Sequence, residues 1–274
     1  MIRIIRNNLN CISILGLGWL GLPLAKSLSN QNFIVKGSQT KAFKNEQKSI
    51  LTYNFNIPTE KDTSWLTKEN EDFFKSDILI ITLPFKRYFD PPSQYLEQIK
   101  NCIVASKKYS QIKHIIFTSS TAIYPDKDTP WKENDEICNS NNRSRTLLGI
   151  ETALLNIKGI SSTILRLGGL YGPNRVPGRF IKKSTKNING SEFVNLTHLN
   201  DCINAIQTVI KENIWNEIFN IVSGEHPSKV EFYNRQAKNL NISPPQFLNS
   251  ISTGKIISNT KSIKILNQNY EKLP

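Results

Sequence analysis

Near its start the chain reads Cys11-Ile12-Ser13-Ile14-Leu15-Gly16-Leu17-Gly18-Trp19-Leu20-Gly21-Leu22-Pro23-Leu24. A short apolar run stops at Gly16, the first of three glycines in a G-x-G-x-x-G spacing, and a helical pattern opens at once over Leu20–Ser29. That spacing is weak on its own; between a strand and a helix it gains meaning. Gly16 permits the tight turn, Gly18 lets the backbone approach a pyrophosphate, and Gly21 allows the helix to pack close to the strand. The pyrophosphate would lie where free N–H groups and the positive end of the helix dipole point. Gly16, Gly18, Trp19, Leu20 and Gly21 are therefore predicted to hold a dinucleotide.

Working outward, strands and helices alternate. Phe33–Gly37 reads as a second strand, Asp77–Leu83 and His114–Ser119 as continuous apolar strands buried on both faces, and Ser162–Leu167 and Ile218–Val222 as later strands. Tyr95–Lys108, Arg145–Lys158 and Asp201–Lys211 carry helical periodicity. This alternation predicts an α/β fold of the Rossmann type, a doubly wound parallel sheet covered by helices. Residues 170–199 and 224–274 are richer in Pro, Gly, Asn and Ser. The expected organisation is a nucleotide-binding domain over residues 1–169, rejoined by 200–223, with 170–274 forming most of a small C-terminal substrate lobe.

The second strand bears on which dinucleotide is bound. An NAD site usually places Asp or Glu about 20 residues beyond the glycines, for the ribose 2′-hydroxyl. Here the stretch is Val35-Lys36-Gly37-Ser38-Gln39-Thr40-Lys41, with no acid before Glu46. Hydroxyls and a lysine suit a 2′-phosphate, so NADP(H) is expected, with NAD(H) the alternative and Ser38, Thr40 and Lys41 as contacts. Lys36 and Lys41 are the cations placed for that phosphate, or else plain surface bases. Thr82, Leu83 and Pro84 end a strand at the sheet's carboxyl edge, where ligands of open α/β sheets bind, and are expected to touch the cofactor.

The chain has 274 residues with 35 Lys+Arg and 22 Asp+Glu, a formal charge of +13. Residues 1–50 carry +6 and 226–274 carry +5, leaving +2 for the middle of the chain. With no run of four consecutive bases, a solvated basic surface explains the excess better than nucleic-acid binding. Cysteines at 11, 102, 138 and 202 form no CxxC pair and the three histidines are scattered, so no metal site is expected. The basic N-terminus leads straight into a strand, and nothing approaches 18 consecutive apolar residues. A cytoplasmic protein without a membrane segment is expected.

Several further segments, taken with the glycine turn, resemble the atypical and extended short-chain dehydrogenases/reductases, the NAD(P)-dependent epimerase/dehydratase group. They are Thr118-Ser119-Ser120-Thr121-Ala122-Ile123-Tyr124, Arg166 through Tyr171-Gly172-Pro173, Thr197-His198-Leu199-Asn200-Asp201, and Phe219-Asn220-Ile221-Val222. In order, these matches run from residue 11 to about 235. The resemblance implies hydride chemistry on a nucleotide-sugar or a small carbonyl or alcohol. It also leaves a homodimer open.

In that family a tyrosine acts as general acid/base, a lysine four residues on lowers its pKa, and a serine or threonine orients the substrate. Ser120 fits the hydroxyl. Anchoring the matching helix on Glu151 puts Arg143 where the tyrosine belongs and Leu147 where the lysine belongs, and no tyrosine lies between Tyr124 and Tyr171. Three readings follow. Tyr124 with Ser120 supplies a relocated acid/base; or Arg143 or Arg145 binds an anionic substrate while another group does the chemistry; or the protein binds cofactor without turnover, as a redox sensor or complex subunit. Asp201 reads as a helix cap, and His198 as structural or substrate-adjacent. Tyr88, Phe89 and Trp131 either wall a cleft or simply pack. Arg175 and Arg179 either meet a substrate phosphate or are solvated.

Overall fold

The glycine turn follows strand β1 (Cys11–Leu15) and opens helix α1 (Gly21–Ser29), as the sequence indicates. Next come β2 (Ile34–Gln39), β3 (Ile50–Asn54), α2 (Lys68–Phe74), β4 (Ile78–Ile81), α3 (Ser93–Lys108), β5 (His114–Ser120), β6 (Lys127–Trp131), α4 (Asn142–Leu155) and β7 (Ser161–Leu167). The rest is β8 (Gly169–Tyr171), β9 (Ile188–Asn189), β10 (Leu196–His198), α5 (Leu199–Lys211), β11 (Ile218–Ile221), α6 (Lys229–Asn239), β12 (Phe247–Leu248), β13 (Lys255–Ile257) and α7 (Thr260–Leu266). The structure, a computed structural model, describes residues 9–40, 49–85, 91–109, 111–138, 141–178, 188–248 and 254–274.

A seven-stranded sheet has the order β11-β7-β5-β4-β1-β2-β3, and β1 pairs in parallel with β2 on one side and β4 on the other. The order therefore reverses beside β1, which makes the doubly wound arrangement and puts the topological switch at the end of the first strand. The chain divides into two compact units: residues 1–118, 146–164 and 213–217, and residues 119–145, 165–212 and 218–274.

In the first unit β4 is wholly buried and all four of its side chains are apolar, as a parallel strand covered on both faces requires. Each such side chain contributes about 1.5–3 kcal/mol by leaving water. Helix α2 was not legible from periodicity, yet its ends are well made. Thr67 caps it, accepting the Asn70 N–H at 3.3 Å, and Glu69 and Glu71 complement the positive end. At the other end Ser13 donates to the Phe73 carbonyl, and the Lys36 ammonium donates to the carbonyls of Asp72 and Lys75. Phe73 and Phe74 then pack edge-on against Phe55 and Trp65.

The second unit centres on Asn220, whose every polar atom is used. Its N–H donates to Glu133 Oε1 at 2.8 Å, its amide donates to the Ser258 carbonyl at 3.1 Å, and its carbonyl accepts the Ser262 hydroxyl at 3.0 Å. Helix α5 begins with a capping box between His198 and Asp201, the capping role expected for Asp201. A smaller apolar cluster joins Tyr171, Val194, Phe232 and Leu273.

Candidate functional site

The three glycines do not need to be glycine for the same reason. Gly16 has φ +104°, a left-handed conformation that disfavours any side chain. A Cβ on Gly21 would lie 2.0 Å from the Gly16 carbonyl oxygen, so the fold itself forbids one. Gly18 is different: it has no such φ, and a Cβ there would meet nothing within 4 Å. The protein alone gives no reason for glycine at 18.

The turn is rigidly held. Leu17 N–H donates to the Ser38 carbonyl at 2.8 Å, Gly16 N–H to Ser38 Oγ at 3.1 Å, and Thr82 Oγ1 donates to the Gly16 carbonyl at 2.8 Å. Leu17 lies over Gly37, where a Cβ would meet its side chain at 2.5 Å. Leu20 occupies the N-cap of α1 and offers no side-chain acceptor, and the first turn holds no acid. A neutral, uncapped helix start is electrostatically suited to an anion.

Around the turn lies a cleft of about 270 Å³. Leu15 at the end of β1 with residues 16–18 of the turn, Ser38 and Gln39 at the end of β2 with Thr40 beyond it, and Thr82, Leu83 and Pro84 after β4 form three sides of it. Phe55, Asn56 and Ile57 beyond β3 and Gln98 of α3 complete it. Gln98 donates to the Ile57 carbonyl at 3.1 Å, and Tyr95 donates to the Leu83 carbonyl at 2.7 Å, so α3 fixes two of these loops. The cleft opens at the carboxyl ends of β1, β2 and β4, at the switch point. These residues fit a dinucleotide: an open cradle at Gly18, an uncapped helix start and an apolar wall.

In the second unit, the Tyr124 phenol donates to Asn220 Oδ1 at 2.8 Å and accepts from Arg166 Nη1 at 2.7 Å. Arg166 Nη1 also donates to the Glu133 carbonyl at 3.2 Å. Tyr124 is 1% exposed, and burial pushes its phenol up to about 12, although the Arg166 guanidinium pulls the other way. A general acid/base needs the opposite, a phenol brought down toward the working pH. Trp131 stacks on the Tyr124 ring at 5.3 Å and donates its indole N–H to the Pro125 carbonyl at 2.8 Å, so it packs in the core. Ser120 is half-buried, and its Oγ accepts the Ala122 N–H at 3.1 Å while keeping its own proton to give. Arg143 lies in the first turn of α4, half-buried beside Ser144, whose hydroxyl donates to the Ala122 carbonyl at 2.9 Å.

No family model matches the chain. Among curated proteins it is similar to protein YeeZ of Escherichia coli strain K12, with 38% identity over 250 residues, 89% of each chain. The chain belongs to the YeeZ family. Among solved structures, the UDP-glucuronic acid 4-epimerase of Bacillus cereus, solved with UDP-glucuronic acid and NAD, shares 18% identity at a TM-score of 0.74. That match spans 96% of this chain and 94% of the other. Epimerase Mth375 of Methanothermobacter thermautotrophicus gives 18% identity and a TM-score of 0.76 over 96% and 88% of the chains. This YeeZ-family chain thus has the fold of the NAD-dependent epimerases and dehydratases, which its resemblance to the extended short-chain group implied.

Within the YeeZ-family chain, Lys36 is not a cation awaiting a phosphate. It is 6% exposed and pairs with the Asp72 carboxylate at 3.0 Å while capping α2. A side chain in the middle of β2 points at the helix covering that face, which the sequence alone did not show. Lys41, Tyr88, Phe89 and Arg179 lie outside the described residues. Sequence reasoning missed Gln39, Phe55, Asn56, Ile57 and Gln98. The only signal was the short Ile50–Phe55 stretch, whose Leu51, Thr52 and Asn54 face solvent and break the apolar run. Among the described residues no His/Cys/Asp/Glu group could hold a metal, and no helix is long and apolar enough to cross a membrane.

Proposed function

We propose that the chain binds NADP(H) in the cleft around the Gly16–Gly21 turn and acts as an oxidoreductase or epimerase on a nucleotide-sugar or a small carbonyl or alcohol. The observation that carries this reading is the space at Gly18: a glycine that the fold does not require, at the mouth of an uncapped helix, is explained by close approach of a pyrophosphate. The absence of a carboxylate at the end of β2 favours the 2′-phosphorylated cofactor over NAD(H). The bound nicotinamide supplies hydride transfer. Ser120 orients a substrate oxygen through its remaining proton, and Arg143, standing where the family's tyrosine belongs, meets an anionic substrate group. The substrate class is carried by analogy with the UDP-glucuronic acid bound by the Bacillus cereus epimerase.

A second reading, a cofactor-binding sensor or complex subunit without turnover, is favoured by one observation. The Tyr124 hydroxyl is already held by Asn220 and Arg166. Purified protein titrated with NADPH and NADH by calorimetry, then incubated with a panel of UDP-sugars and small carbonyls, tests both. Nicotinamide absorbance and chromatography of the sugar give the readout. Dinucleotide binding with conversion that Ser120→Ala and Arg143→Ala reduce supports the first reading. Dinucleotide binding with no conversion supports the second. Failure to bind either dinucleotide overturns both.

A further inference from the structure

Ser120 opens a single 3₁₀ turn, Thr121–Ile123, that Tyr124 closes, and this turn decides where the Ser120 hydroxyl points. Ser120 Oγ accepts the Ala122 N–H at 3.1 Å, and the Tyr124 N–H donates to the Thr121 carbonyl at 3.2 Å. Side chains from elsewhere in the chain hold the turn by its carbonyls. The Ser144 hydroxyl donates to the Ala122 carbonyl at 2.9 Å and ties the turn to the start of α4, beside Arg143. Tyr124 is extended before Pro125, so its own carbonyl leaves the turn instead of joining another helical bond. That carbonyl accepts the Lys255 ammonium, delivered from β13, 131 residues further along the chain.

Lys255 is held in place without this bond. Its main-chain carbonyl accepts from Asn195 Nδ2 at 2.8 Å, the Ile257 N–H donates to Asn195 Oδ1 at 3.0 Å, and β13 pairs with β6. The Tyr124 ring has its own anchors in Asn220 and Arg166. Neither β13 nor the Tyr124 side chain therefore needs the ammonium; the closing peptide of the turn does. Burial pulls the ammonium below its ordinary value of 10.5 while Asp126 and Glu192 oppose the shift, so the lysine gives up water and side-chain freedom to make the contact. A cation donating to a carbonyl is among the stronger hydrogen bonds a side chain can form. Resting on the reading above, in which Ser120 orients a substrate oxygen, we propose that Lys255 is a positioning residue for Ser120: its ammonium fixes the Ser120–Tyr124 turn so that the serine's proton stays aimed at the substrate.

In this role Lys255 moves no proton and needs only charge and reach. Lys255→Arg keeps both. Lys255→Met keeps the stem and removes the donor, and Lys255→Gln keeps a donor too short for the carbonyl. Lys261→Met is the control, because the Lys261 ammonium makes the same kind of bond, to the Ile218 carbonyl at 2.9 Å in the same unit.

Hydrogen exchange of the full chain, followed by NMR, reads the Ala122 and Tyr124 amides, whose bonds make the turn. Lys255→Met and Lys255→Gln should speed both about tenfold or more, the usual worth of a hydrogen bond to a charged group. The Ile257 amide, gripped by Asn195, should keep its rate, and Lys255→Arg and Lys261→Met should leave the turn as in the wild type. Steady-state rates on the UDP-sugar or carbonyl that the wild type converts give the second readout. Lys255→Met should lower kcat about tenfold with KM and NADPH affinity unchanged, and should lower it no further in a Ser120→Ala background. Thermal unfolding of each variant shows that it folds, and Lys255→Gln carries the test if Lys255→Met does not. Unchanged exchange in the turn, an unchanged kcat, or a kcat loss that adds to that of Ser120→Ala overturns the role of Lys255 alone. No conversion by the wild type overturns the reading in which Ser120 acts, and this inference with it.

Discussion

Replacing Gly18 and Gly21 by alanine separates what the fold requires from what a ligand requires. A Cβ at Gly21 would sit 2.0 Å from the Gly16 carbonyl oxygen and 2.9 Å from Thr82 Oγ1, against backbone that cannot move without opening the turn. Overpacking of that kind costs about 1–3 kcal/mol or more. For a chain of 274 residues, each 1 kcal/mol lowers Tm by about 2–4 °C. At Gly18 the same methyl meets nothing within 4 Å, and φ is not left-handed. Alanine there narrows the unfolded ensemble, so stability should hold or rise by up to about 1 kcal/mol. Its methyl would nonetheless occupy the space through which a pyrophosphate approaches the backbone, and NADPH affinity should fall about tenfold or more. Thermal unfolding and calorimetric titration of both variants provide the assay. A Gly18→Ala protein that folds normally and binds NADPH as tightly as the wild type would refute the assignment of that space to the cofactor. A Gly18→Ala protein that unfolds would refute the claim that the fold leaves the position free.

Tyr124→Phe removes the donor to Asn220 and the acceptor for Arg166 in a buried cluster, and should cost about 1–3 kcal/mol in thermal unfolding while NADPH affinity stays unchanged. A large loss of affinity with full stability would instead make the phenol part of the site. Gly149 is an exposed position inside α4 where a Cβ would meet nothing within 4 Å, so Gly149→Ala should stabilise the chain by about 1 kcal/mol; a lower Tm would show that the position has an unseen neighbour. Burial, aided by Lys113, holds the His114 imidazole below its ordinary value of 6.5, and its ring stacks on Trp215 at 3.9 Å. The neutral form favoured by folding contributes stability above pH 6.5, and that contribution is lost as pH falls through the lowered folded value. Imidazolium quenches indole, so tryptophan fluorescence should drop with a midpoint below 6.5, and Trp215→Phe should abolish the step; a midpoint above 6.5 would contradict the burial.

The parts of the fold that were legible in the sequence are those where one physical demand dominates. Ile78–Ile81 must be apolar on both faces because helices cover both, and the run stands out. The Gly16–Gly21 turn stands out because its backbone tolerates no substitute at two positions. Strand β3 and helix α2 did not stand out. An edge strand with Leu51, Thr52 and Asn54 facing solvent has neither clean alternation nor an apolar block, and a seven-residue helix is too short for a period. Their loss hid the Phe55–Ile57 wall of the cleft. It also left Lys36 without its partner, because Asp72 and the carbonyls it caps belong to the helix that periodicity passed over.

Tyr124 shows a different limit. In the sequence it stands four residues after Ser120 in a stretch resembling the family's SSxxVYG segment, and spacing alone allowed it to replace the missing tyrosine. What decides its chemistry comes from positions far along the chain: Arg166, 42 residues on, and Asn220, 96 residues on. Both hydrogen bonds hold the phenol where burial raises its pKa, so the proximity of a cation, which in the family's dyad favours proton release, here serves packing. A local motif therefore identifies which residue types meet, whereas the long-range partners fix which protonation state they favour. The same logic bears on Arg143. Its guanidinium holds its charge at any working pH, so it cannot shuttle a proton as the family's tyrosine does. With the Tyr124 hydroxyl tied to Asn220 and Arg166 and Arg143 unable to give up a proton, the rate should lack the pH-dependent limb that an acid/base tyrosine imparts. A pH–rate profile with a limb lost in Ser120→Ala but retained in Tyr124→Phe would assign it to the serine; a limb lost in Tyr124→Phe would return the phenol to the chemistry.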